Sequence, residues 1–211
     1  MATTTKSRKS LWPADDAQVA DGRRQRSDRS RRKIIEALFD LLREGDMSPT
    51  AVTVAARANV GLRTVFRHFE DMESIFEEMT AELKAVTMPK VTAPFETSTW
   101  RDRLLEVVDR NAMIYEDVFP MQVALLVRRF QSEFLTAQYK SEVALLRSSL
   151  RSFLPKAITD DRTLFAALEV NLTFATWRRL REDQKLSVVN ATKTLKRTVL
   201  ALTVDIKPNA R

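Results

Sequence analysis

The sequence predicts an all-α chain: an N-terminal three-helix helix-turn-helix domain followed by a C-terminal helical bundle. Three observations carry this. Glycine occurs only three times in 211 residues, whereas β-rich folds spend glycine on turns. Apolar residues recur at three- and four-residue spacing from Ile34 almost to the C-terminus. Residues 50–69 read as two short helices joined by a tight turn. An apolar content of 44% is ordinary for a chain with a real core.

Taken in order, residues 1–25 hold Ser, Thr, Asp and Pro13 without a helical period and are expected to be a disordered basic arm. Leu11 and Trp12 are its only bulky apolar residues. Helix 1 is expected from about Asp28 to Glu44, with Ser27 or Ser30 as N-cap and Gly45 as its stop. Its stripe is Ile34, Leu38, Leu41 and Leu42, broadened by Ile35 and Phe39. The next helix starts at Ser48-Pro49 or at Thr50: proline at the first helical position favours Ser48 as cap. Val54, Ala55 and Ala58 form its inward face, and small Ala55 lets the following helix cross closely. Asn59 stands where the turn needs a left-handed residue, a conformation asparagine tolerates well. Val60 plugs the turn, and Gly61 caps a helix whose Leu62, Val65, Phe66 and Phe69 follow i, i+3, i+4, i+7.

Asp71 caps a helix to about Val86, followed by a Pro- and Thr-rich linker, 87–99, with Pro89 and Pro94 as breakers. The domains are therefore 26–88 and 96–205. Within the second, helices are expected over Trp100–Asp117, Pro120–Phe130, Glu133–Leu154, Asp160–Arg181 and Ser187–Thr203. Residues 164–177 are apolar almost all round, so that helix should be buried on more than one side. Ala166, Ala167, Thr173 and Ala175 are small enough for close approach of another helix. The last two helices either meet a second copy in a four-helix bundle or close a monomer core.

The polar side of the second short helix carries Arg63, Thr64, Arg67 and His68. A helix with that chemistry, at that place in a helix-turn-helix, enters the major groove of DNA. Base readout falls to Arg63 and Arg67, and Leu62, Thr64 and Phe66 are candidates for thymine methyls. The net charge of +7 is concentrated at the start: residues 1–33 hold ten Lys and Arg against four Asp. Residues 34–90 are acidic, with six basic side chains against ten. DNA affinity in that domain would thus rest on the local placement of Arg63 and Arg67. The N-terminal charges are either a solvated tail or an arm that follows phosphates into the minor groove.

Residues from about Arg31 to Met79 resemble the DNA-binding domain of the tetracycline-repressor (TetR) family of bacterial regulators. The likeness lies in Ile34-Ile35-Glu36-Ala37-Leu38-Phe39, in Thr50 with Val54 to Val60, in Arg63 to Phe69, and in Asp71 to Phe76. Trp177 to Gln184 is a looser echo. Three positions depart from the family: Phe66 where tyrosine commonly reaches a phosphate, Met72 where lysine is common, and Asn59 for the turn glycine.

The resemblance implies a cytoplasmic homodimer that binds palindromic double-stranded operator DNA. It also implies release by an unidentified small-molecule effector bound in the C-terminal domain. Backbone contacts would come from Ser48, Thr50, Thr64 and His68 with helix N-termini. Effector-lining candidates are Met113, Tyr115, Phe130, Phe134, Asn171 and Phe174. Asn171 is the sharpest, because a lone amide in an apolar helix must find a ligand, a second copy or a backbone group as partner. A DNA-binding protein without a ligand, or one controlled by a protein partner, is the alternative.

Other classes find little support. There is no cysteine and one histidine, so neither a metal site nor a cofactor is expected. No nucleophile elbow, phosphate-binding glycine loop or His/Cys dyad occurs, so no enzyme is expected. Acidic pairs such as Asp15-Asp16, Glu77-Glu78 and Asp160-Asp161 read as solvated helix starts or faces. No apolar run is long enough to span a membrane, and the first residues lack a signal-peptide core.

Overall fold

The computed structural model describes residues 22–207, and within them the chain is all-helical. The basic arm, with Leu11 and Trp12, lies outside the described residues up to position 21. Helix α1, Gly22–Arg43, begins earlier than Ser27 or Ser30 would cap it. Ser30 instead donates its hydroxyl to the Arg26 carbonyl inside the helix. The extra turns are polar, and Arg and Gln are good helix formers even without a packed face. Apolar burial starts at Ile34, where the stripe of α1 meets the rest of the domain. Gly45, at φ 98°, lets the chain leave the helix in a conformation other residues resist.

Helix α2, Ala51–Ala58, is capped by Thr50 rather than Ser48. Thr50 and Thr53 exchange backbone and hydroxyl bonds as a capping box. The helix ends on Asn59 at φ 52°, and the N–H of Val60 reaches back to the Ala55 carbonyl. Helix α3 spans Leu62–His68, with Gly61 as a cap that offers no side-chain oxygen. Helix α4, Met72–Val91, starts from an Asp71–Ser74 capping box. It runs through Pro89, which lies in its last turn and so removes a single intrahelical bond. The expected stop near Val86 is therefore displaced to Thr92.

The remaining helices are α5, Trp100–Asp117; α6, Phe119–Arg128; α7, Glu133–Phe153; and the short α8, Lys156–Thr159. A 3-10 turn, Arg129–Gln131, joins α6 to α7. The single helix expected over 160–181 is instead broken into α9, Arg162–Asn171, and α10, Phe174–Arg178. Thr173 takes extended geometry at the break and caps α10. The Leu172 carbonyl, freed there, accepts from the Tyr115 hydroxyl at 2.8 Å and from the Asn111 amide at 3.0 Å. Side chains from α5 thus satisfy the backbone that the break exposes. A π turn, Arg179–Asp183, follows, and α11, Val188–Leu202, closes the fold from a Ser187 cap.

Two cores result. One gathers α1 to α4 around Leu38, Phe39, Val65 and Phe76, and it also takes in Met121 and Ala124 of α6. The other lies among α5, α7 and α9 to α11, with Trp177 at its centre. Helix α6 packs directly on α1. The N-terminal domain drawn over 26–88 is therefore completed by a helix from beyond the linker, because the apolar face of α6 finds cover there. No described helix is long and apolar enough to cross a membrane.

Candidate nucleic-acid interface and effector cavity

Helix α3 is short, and its two faces differ sharply. Val65 and Phe69 are buried in the first core. On the other side Leu62 is 40% and Phe66 50% exposed, and Arg63 and Arg67 face solvent. Among the described residues no carboxylate pairs with Arg63 or Arg67, although the surrounding domain is acidic. Thr64 is half-buried beside them, while Thr50 and Ser48 are exposed at the start of α2. The Thr50 hydroxyl is engaged in its own cap.

His68 behaves differently from the sequence expectation. It is half-buried, and its Nε2 is enclosed without a partner. Burial, then the nearby Arg67 and Arg31, hold its imidazole below the usual value. A phosphate contact through Nε2 would require the ring to turn outward.

Besides Val65 and Phe69, one of the ten basic residues within 1–33 fastens α3. Arg31 of α1, though its side chain is partly exposed, lies against α4 and the end of α3. Its Nε donates to the Glu78 carboxylate at 2.7 and 2.8 Å, and its Nη2 is ion-paired with the same group. Its Nη1 donates to the His68 carbonyl at 2.9 Å, and its guanidinium lies 4.5 Å from the Phe69 ring centroid. One side chain therefore ties α1 and α4 to the C-terminal end of α3. Glu78, read from sequence as part of a solvated pair, is the anchor of that clamp. Nearby, Glu82 buries its Oε2 without a partner. Burial, then the Glu78 charge, push its carboxyl up to about 7. Arg57 and Glu44 form a second fork that fastens α2 to the end of α1.

A cavity of about 370 Å³ opens between α4, α5, α6 and α7. Leu83, Met88, Ile114, Leu125 and Leu146 supply apolar wall, and Lys84, Arg110, Gln122 and Glu142 bring charge and amide groups. Of the expected effector residues only Tyr115 lines it. Phe174 packs behind Tyr115, with ring centroids 5.5 Å apart in edge contact. Asn171 finds its partner in its own helix, donating to the Ala167 carbonyl at 2.8 Å. Met113 and Phe130 lie at the surface, 61% and 80% exposed, and Phe134 is also exposed. These five lie away from the cavity: apolar character marks a core or a patch, while a cavity depends on how helices cross.

On α9 Ala166 and Val170, and on α11 Val189 and Leu200, are exposed. Ala175 is exposed, whereas Ala167 and Thr173 are half-buried. No family model and no curated protein matches the chain.

Proposed function

We propose that the chain is a TetR-like, sequence-specific DNA-binding transcription regulator, a homodimer that a small-molecule effector releases from palindromic operator DNA. One observation carries the reading. Helix α3 is anchored by Val65, Phe69 and the Arg31 clamp, while its far side holds two arginines, without a carboxylate partner among the described residues, beside exposed Leu62 and Phe66. An unpaired guanidinium on a fixed rod can serve guanine O6 and N7 as a bidentate donor. Exposed apolar neighbours suit thymine methyls.

Dimerisation multiplies the discrimination of a short reader, since one good base contact gives only about 1–3 kcal/mol. Exposed Ala166 and Val170 on α9, and Val189 and Leu200 on α11, support these helices as the ones that pair. The cavity supports an effector, with α4 linking its wall to the clamp on α3. Selection of random duplexes by the full chain at physiological salt tests the reading. A palindrome with half-sites about one helical turn apart is expected. Binding that depends on salt but not on sequence, or no duplex binding, would overturn it.

A further inference from the structure

We infer that the cavity between α4, α5, α6 and α7 takes an uncharged, mainly apolar molecule that enters between α4 and α7 and lies wholly inside. The inference rests on reading this cavity as an effector site and names the class of effector. It follows from where the wall carries its charges and from what balances each of them.

The wall divides by depth. Of its lining residues only Lys84, Ser141 and Glu142 are exposed. The mouth therefore lies between Lys84 on α4 and Ser141 and Glu142 on α7. The floor is apolar, for Leu83, Val107, Ile114, Val118 and Leu125 are all buried there. A volume of 370 Å³ lies at the small end of ligand pockets, roughly 300–1,000 Å³, and suits a single ring system.

Lys84, Arg110, Tyr115 and Glu142 are the lining residues that can ionise, and none offers a guest an unbalanced charge. Lys84 and Glu142 have opposite signs, flank the same mouth and stand near enough to act on each other. A guest cation drawn to Glu142 meets Lys84, and a guest anion drawn to Lys84 meets Glu142. Both side chains are exposed and keep their water, so an ion pair with either contributes little. Deeper in, Arg110 is ion-paired with Glu106 and donates to the carbonyls of Ala93 and Pro94. The Tyr115 hydroxyl donates to the Leu172 carbonyl.

The neutral polar groups favour the same class. Asn111 also donates to the Leu172 carbonyl, and the Thr80 and Thr87 hydroxyls donate to carbonyls of their own helix. Gln122 serves Glu142. Besides Lys84, the side chains of Gln138 and Ser149 keep donors for a guest. These two lie about three helical turns apart on α7, roughly 16 Å. They cannot converge on a single carboxylate, which leaves water only for several donors at once. Either can serve the hydroxyl or carbonyl of a neutral guest. An ion carried down to the apolar floor would lose its water and find no partner.

Titration calorimetry of the full chain at neutral pH with naphthol, naphthoate and naphthylmethylammonium tests this. The same ring system then carries no charge, a negative charge or a positive charge. Naphthol should bind at least about tenfold tighter than either ion. Lys84→Gln and Glu142→Gln, both at exposed positions, should leave naphthol affinity unchanged within about twofold. Leu145 lines the lumen from a half-buried position outside both cores. Leu145→Trp should fill the lumen and weaken naphthol about tenfold or more. Val91→Trp, also half-buried on the wall, takes its place if that variant does not fold. An ion that binds as tightly as naphthol, or no binding of naphthol, would overturn the assignment. So would loss of naphthol binding in either mouth variant, or undiminished binding by a lumen-filling variant that is folded by circular dichroism. Duplex selection is scored separately. A chain that binds naphthol in the cavity yet selects no duplex keeps the ligand class and loses the regulator.

Discussion

Replacing Arg31 with Met keeps an unbranched apolar stem and removes the fork that joins three helices. Buried hydrogen bonds to charged groups contribute about 1.5–3 kcal/mol each. Here the Arg31 side chain is 43% and that of Glu78 25% exposed, so water makes good much of the loss. Discounted for that screening, Arg31→Met should cost roughly 1–2 kcal/mol in all. In a domain of this size that lowers the melting temperature by roughly 2–8 °C. Glu78→Gln on the Arg31→Met background should then cost little more, with a coupling of about 1 kcal/mol in a double-mutant cycle. Additive losses would refute the clamp.

Under the proposed function the same substitution separates two roles for a basic residue. A phosphate ligand adds to affinity for every duplex and to its salt dependence, so removing one should lessen the log–log slope by about 0.9. A residue that positions the end of α3 affects specific binding more than non-specific binding. Arg31→Met should therefore lower the ratio of operator to random-duplex affinity and leave the salt slope unchanged. Fluorescence anisotropy over a salt series reads both. A smaller slope with an unaltered ratio would make Arg31 a phosphate contact and leave the His68 carbonyl bond incidental.

Glu82→Gln should stabilise the protein at pH 8 and do nothing near pH 4. The folded carboxyl, at about 7, lies above its unfolded value near 4.5, so the native state holds the extra proton and stability falls as pH rises between the two. Because the group is only partly buried, the gain at pH 8 is about 1–2 kcal/mol, read as a melting-temperature difference, and an unchanged difference across pH would refute it. Val170→Asp, at a site 61% exposed, should convert a dimer to monomer in sedimentation equilibrium without loss of helical signal. A dimer that persists would place the interface elsewhere. Arg63→Ala should relax selectivity at one operator position and cost about 1–3 kcal/mol, measured against single-base operator variants. Equal binding to every variant by the native chain and the substituted one would remove Arg63 from base readout.

Much of the fold was legible because it is governed locally. The stripe of α1, the Asn59 turn, the Asp71 and Ser187 caps and the end of α7 near Leu154 all depend on a few neighbouring residues. The break at Leu172 was not legible. Residues 164–177 are uniformly apolar, and the donors that make the break tolerable, Tyr115 and Asn111, sit more than fifty positions away. The start of α1 was missed because its first turns are polar and carry no period. The display of Arg63 and Arg67 could be anticipated from their place opposite Val65. The pairing of Arg31 could not, because its partner Glu78 becomes a neighbour only when α4 folds against α1.

Helix α4 explains why the cavity and the clamp belong in one account. At 3.6 residues per turn, Glu78 and Glu82 lie on one side, while Thr80, Lys84, Thr87 and Val91 lie roughly opposite. The first side faces Arg31, and the second lines the cavity. A guest that presses on the second side can shift the first only if α4 moves as a body. No proline or glycine interrupts it between Met72 and Met88, so it has no built hinge along that length. Movement alone does not give regulation. The guest must bind one placement of α4 better than the other, and the release of DNA is bounded by that difference in affinity. Under the proposed function, Arg31→Met should weaken the coupling: affinity for an effector bound in the cavity would stay as it was, while its effect on operator affinity would shrink. An effector response of operator binding that survives the loss of the Arg31 fork would route the coupling through the packing of α6 on α1 instead.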